Sequence, residues 1–115
     1  MILGATTDSS RYAYLASTRL AAAGHPIINA GNKTGIVAGV PIEPPLTIHG
    51  NVHTITLYIN PLRQVPLYEF ILATKPIRIL FNPGTENEEL SQLALSQGIV
   101  IENACTLVLL AINQY

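Results

Sequence analysis

The residues with chemistry to offer are a turn rich in hydroxyl groups, one lysine, one cysteine and three histidines. The turn runs Gly4-Ala5-Thr6-Thr7-Asp8-Ser9-Ser10-Arg11, between apolar Ile2-Leu3 and an apolar periodic stretch. It reads as a strand that bends at glycine into a helix. The N–H groups at a helix start are unpaired and carry the positive end of the helix dipole, so such a turn is suited to a phosphate. Small side chains let the anion come close. Ser9 and Ser10 serve equally as helix caps or phosphate contacts, and Arg11 stands beside them. Gly4 lacks the further glycines of the dinucleotide fingerprint.

Proteins that bind NAD place an acid at the end of the second strand, about 20 residues on, to hold the ribose hydroxyls. Asn29 to Lys33 contains none. Lys33 is a cation at that edge, suited to a phosphorylated ribose such as that of NADP or coenzyme A. Cys105 is the one candidate nucleophile, with a helix beginning near Thr106 to lower its thiol pKa. It has no histidine partner in reach: His25 and His53 precede their strands, which puts them at the far end of the sheet, roughly 17–20 Å away. His49 falls in an unplaced loop. No metal-ligand spacing occurs, and the carboxylates are unpaired except in Glu86–Glu89. These residues predict binding without turnover.

The elements that must position this chemistry alternate. Ser9 or Ser10 caps a helix to about Ala23, with Tyr12, Leu15, Ala16 and Leu20 as its buried stripe and Gly24 as its end. Pro26–Ala30 is a second strand, and Ile36–Ile42 a hairpin-like or irregular excursion. Val52–Ile59, rich in β-branched residues, reads as a central strand covered on both faces. Asn60-Pro61 is a cap followed by a first-position proline, opening a helix to about Ala73 that Lys75-Pro76 breaks. Ile77–Phe81 is the fourth strand. Thr85 and Glu88 have capping-box spacing for a helix reaching Gln97, closed by Gly98. Ile99–Ile101 is the fifth strand, and Thr106–Ile112 a final apolar helix. The prediction is a single α/β domain over residues 1–115: a Rossmann-like, doubly wound parallel sheet of five strands in the order 3-2-1-4-5. Ligands of such sheets sit at the carboxyl ends of the strands, where Ala5–Arg11, Gly31–Gly35, Asn60-Pro61 and Asn82–Asn87 converge.

Composition narrows the partners. A chain of 115 residues, 49% hydrophobic and 11% charged, can bury a continuous core. Six Lys and Arg residues and a net charge of −1 leave no broad cationic face for nucleic acid or an anionic membrane. Apolar runs are too short to cross a bilayer, and a lone cysteine fits a reducing compartment, so a cytoplasmic location is expected. The last helix, through Leu107, Val108 and Leu110, together with Tyr115, offers a homodimer face.

Gly4-Ala5-Thr6 through Arg11-Tyr12, Gly24-His25, Gly35 and Gly39, Asn82-Pro83-Gly84-Thr85-Glu86-Asn87 and Ala104-Cys105-Thr106-Leu107 together resemble a known family. It comprises small stand-alone CoA-binding proteins related to the nucleotide-binding domain of the succinyl-CoA synthetase alpha subunit. The resemblance covers nearly the whole chain. It implies that Gly4, Ala5, Thr6, Ser9, Ser10 and Arg11 cradle the CoA pyrophosphate and that Lys33 meets the ribose phosphate. It implies further that Asn60 and Pro61 flank the adenine, and that Asn82, Pro83 and Gly84 border the nucleotide. The cofactor expected is coenzyme A or an acyl-CoA. An NADP-binding enzyme, or a transferase acting through Cys105, is the alternative.

Overall fold

Ile2 and Leu3 are adjacent in sequence and buried on opposite faces of one sheet, which sets the plan of the molecule. The computed structural model describes residues 1–115. Its strands are β1 (Ile2–Leu3), β2 (Asn29–Ala30), β3 (Ile36–Val37), β4 (Val40–Glu43), β5 (Thr54–Leu57), β6 (Arg78–Phe81) and β7 (Val100–Asn103). Its helices are α1 (Tyr12–Ala22), α2 (Pro61–Gln64), α3 (Tyr68–Thr74), α4 (Glu88–Ser96) and α5 (Thr106–Ala111). The strand order is β3-β4-β2-β1-β5-β6-β7, parallel throughout except for the β3–β4 pair.

On one face Ile2 packs with Ala13 and Leu20 of α1, Val37, Ile42, Leu110 of α5 and Tyr115. On the other, Leu3, Ile55, Leu57, Ile79 and Phe81 meet Ile71 of α3 and Leu90 and Ala94 of α4. Each fully buried Leu, Ile, Val or Phe among them contributes about 1.5–3 kcal/mol. All four residues of β5 are buried, so this strand is central, as its β-branched composition predicts.

The doubly wound class agrees with the sequence, but the strand count and order need correction: there are seven strands, not five in the order 3-2-1-4-5. The segment 36–43 is a true hairpin, turning at Ala38 and Gly39 with positive φ and pairing Val37 with Val40. Buried Asn29 holds it to β2, donating its side-chain amide to the carbonyls of Val37 (3.1 Å) and Val40 (3.0 Å). The hairpin takes the place beside β2 and leaves β5 to pair on the far side of β1.

Three helix expectations also shift. Neither Ser9 nor Ser10 caps α1: its N-cap is Arg11, without a side-chain hydrogen bond, and Tyr12 is 72% exposed rather than buried. Asn60 does cap α2, accepting from the Arg63 amide at 3.0 Å, but Pro66 breaks the expected long helix into α2, a 3-10 turn at Val65–Leu67, and α3. Asn87, not Thr85, caps α4, accepting from Leu90 N at 3.1 Å. Gly98, at φ 77°, follows the end of that helix as expected.

Candidate functional site

The chain leaves β1 through Gly4, whose φ of 102° no side-chain-bearing residue adopts without strain. A Cβ there would lie 3.0 Å from the Tyr58 backbone and 2.9 Å from Ile59. At the end of β2, a Cβ on Gly31 would lie 2.9 Å from the Ala5 carbonyl oxygen. Two glycines thus let the exits of β1, β2 and β5 approach closely. Here the sheet order reverses, and the space above it is open.

That space is a cleft of three hollows, all lined by Gly4 and Ile59. The largest, about 400 Å³, is bounded by Ala5, Thr6, Asp8, Arg11, Lys33 and Arg63. A second, about 250 Å³, is more apolar, with Leu3, Pro45, Ile59, Pro66 and Leu67 in its walls and Arg63 at its edge. The third, about 230 Å³, lies among Arg11, Tyr12, Ala13, Tyr58, Asn60, Pro83 and Gly84. Half of the chain's six Lys and Arg residues therefore meet around the largest hollow, opposed by the single carboxylate of Asp8. Lys33 and Arg63 are exposed and make no ion pair.

The loop after β1 is only partly open to an anion. The amides of Gly4 and Ala5 both donate to Ala30 O, at 2.8 and 3.0 Å. Asp8 folds back on the loop: its carboxylate accepts from Ser10 N (3.0 Å) and Ser10 Oγ (2.6 Å). These bonds hold its pKa below the ordinary carboxylate value, the hydroxyl contributing most, and Arg11 adds to them. Thr6 Oγ1 accepts from the Asp8 amide at 3.1 Å. The amides of Thr6, Thr7 and Ser9, and those of Tyr12 and Ala13 at the start of α1, have no partner within the protein. The donors left free are thus Thr6, Thr7, Ser9 and the helix start, not Ala5 and Ser10.

Of the residues singled out in the sequence, Gly4, Ala5, Thr6, Arg11, Lys33, Asn60, Pro83 and Gly84 line the cleft. Ser9, Ser10, Pro61, Asn82 and Cys105 line none of its three hollows. Asn82 is 2% exposed and works beneath the cleft. Its side-chain amide donates to Thr56 Oγ1 (2.6 Å) and Leu57 O (2.9 Å), and its Oδ1 accepts from Thr106 N (2.8 Å). Cys105 is half-buried before α5. The phenol of Tyr58 lies near Cys105, Thr56 and Thr106, with burial raising its pKa, and its hydroxyl is buried without a hydrogen bond.

Sequence reasoning missed Arg63, Asn32 and Tyr58. Asn32 borders the two larger hollows, Tyr58 the largest and the third. Arg63 carried no readable signal: α2 is a single turn, in which a basic residue just before the end is unremarkable.

The parallel sheet, its covered faces and the cleft at its switch point define a Rossmann-like α/β domain. The chain belongs to the CoA binding domain family, whose model matches residues 1–111. That is the family its motifs resemble. Nothing among the curated proteins matches. Solved structures do. A crystal structure of an uncharacterized protein is 47% identical, with TM-score 0.96, covering 99% of this chain and 94% of that one. A hypothetical protein from Pyrococcus horikoshii OT3 is 21% identical at TM-score 0.84, covering 93% and 77%. The cell-free ID.343 protein from Thermus thermophilus is 18% identical at TM-score 0.86, covering 99% and 87%. The last two share the fold alone.

Proposed function

We propose that the chain binds coenzyme A or an acyl-CoA across the three hollows and performs no chemistry on it. The supporting observation is the meeting of Arg11, Lys33 and Arg63 with unpaired amides around one hollow, which suits a diphosphate and a ribose phosphate together. The diphosphate rests on the amides of Thr6 and Thr7 and the start of α1, with Arg11 and Arg63 on either side. Gly4 and Ala5 give it room, and Ser9 and Ser10 shape the loop through Asp8. Lys33 takes the ribose phosphate. The adenine enters the more apolar hollow, against Pro45, Ile59 and Pro66; that hollow is lined from α2 by Arg63 rather than by Asn60 or Pro61. The pantetheine arm leaves past Asn60, Pro83 and Gly84. Cys105 borders none of these hollows, which favours holding the cofactor over transferring its acyl group.

NADP remains the second reading, because Lys33 without an acid at the end of β2 suits either phosphorylated ribose. Calorimetric titration with CoA, acetyl-CoA, NADP and NAD decides between them: CoA or its acyl form binds tightest, and tighter binding of NADP overturns the proposal. Lys33→Ala weakens CoA and leaves dephospho-CoA unchanged. Equal losses for the two ligands remove Lys33 from the ribose phosphate.

A further inference from the structure

The opposite end of the sheet carries a second basic trough. Where β2, β1, β5 and β6 begin, a hollow of about 600 Å³ is lined by His25, Ile28, Val52, His53, Arg78 and Tyr115. A neighbouring hollow of about 420 Å³ shares His25 and Tyr115 with it and adds Arg19, Leu107 and Leu110. The two form one trough interrupted by the Tyr115 ring. No Asp or Glu lines either hollow. In a chain of net charge −1, two of the six Lys and Arg residues and two of the three histidines collect here.

Arg78 is built into this wall. Its side chain is 12% exposed, and it donates from Nε to Thr54 Oγ1 (3.1 Å) and from one terminal nitrogen to Glu102 (3.2 Å). A guanidinium has five N–H donors, so further donors are left over. Its face lies 4.7 Å from the Tyr115 ring centroid, and His25 meets the same ring edge-on at 5.1 Å. Tyr115 thus fixes the guanidinium and one imidazole, while His53 is held by a 2.8 Å bond between Nδ1 and Thr54 Oγ1. Ile28 and Val52 supply apolar floor between the charged walls.

We propose that this trough is a second ligand site, for a small organic anion with an apolar body and a carboxylate or phosphate head. The head meets Arg78 between His25 and His53, and the body lies on Ile28 and Val52. The site lies across the sheet from the cleft assigned to CoA and does not depend on that assignment.

Nuclear magnetic resonance titration of the whole chain with benzoate, phenyl phosphate and inorganic phosphate tests it. His25 and His53 ring signals shift saturably in the millimolar range with benzoate or phenyl phosphate, the better of the two identifying the head. His49, engaged with Glu43 at 3.0 Å, stays still as an internal control. Inorganic phosphate, having no apolar body, binds more weakly. Arg78→Lys keeps the charge but loses the fork, and weakens binding about tenfold. Should that variant fail to fold, exposed His25→Ala replaces it, read on His53, with a loss of about twofold. The proposal is overturned if neither histidine shifts, if inorganic phosphate binds as well as phenyl phosphate, or if the folded variant tested binds unchanged.

Discussion

The loops that follow β1 and β6 both end at the carboxyl edge of the sheet, and both read in the sequence as cofactor contacts, yet they are built in opposite ways. Residues 7–11 are exposed, and the loop leaves the amides of Thr6 and Thr7 without partners. Asn82 is buried, and all its side-chain donors and its Oδ1 are committed to β5 and α5. Thr85 closes the turn by donating from Oγ1 to Asn82 O at 2.7 Å, and buried Gln64 donates to the Ile59 and Thr85 carbonyls at 2.9 and 2.8 Å. One loop keeps donors free, and the other uses its donors to hold α2, α5 and the strand ends in register. Polar residues at the carboxyl edge of the sheet therefore divide into those left open and those that brace, and burial separates them.

The largest effect is expected where the first of these loops begins, packed against the exit of β5. Gly4→Ala combines a forbidden φ with a Cβ against the Tyr58 backbone, and should cost about 3 kcal/mol or more in urea unfolding and abolish CoA binding. A variant that folds and binds normally would show the close approach of β1 and β5 to be dispensable. Next comes the bracing loop. Asn82→Ala strands Leu57 O and Thr106 N, at a cost of about 2–4 kcal/mol. Affinity measured well below the melting transition should change little. A large affinity loss at wild-type stability would reverse the division between bracing and touching.

Arg63→Ala sharpens the contrast from the other side. The residue is exposed and unpaired, so stability should stay within about 0.5 kcal/mol. CoA affinity should fall about tenfold by calorimetry, the loss of one charge-assisted contact. Unchanged affinity would move the diphosphate away from α2.

The layout of the fold was legible because each strand is a short apolar run bounded by glycine, proline or asparagine, and such punctuation acts locally. A hairpin-like excursion over Ile36–Ile42 was legible, but its place in the sheet was not, because that depends on Asn29 reaching Val37 and Val40, a tie between residues whose meeting only the fold creates. At the site, Gly4, Arg11 and Lys33 could be placed from their positions after strands. Asn82 reads as a contact because its loop converges on the cleft; the sequence does not show that its side chain is buried and spent on β5 and α5. Ser9 and Ser10 were misread as caps because Asp8 competes for Ser10, and sequence does not rank such local rivals.

Asp8 supplies the smallest and most specific test. Its carboxylate is exposed and held by Ser10, so its pKa lies below the ordinary range in the folded chain. A depressed carboxylate stabilises the fold above its unfolded pKa, and that contribution is lost as pH falls through the folded value. Carbon-13 titration should place Asp8 below a free aspartate, and Ser10→Ala should move it back up. Bound diphosphate would bring negative charge beside Asp8 and oppose its ionisation, so saturating CoA should raise the Asp8 pKa. Asp8→Asn, which removes the repulsion and keeps an acceptor for Ser10, should tighten CoA about twofold at low salt and less at high salt. A pKa indifferent to CoA would mean that the diphosphate does not lie on the loop after β1.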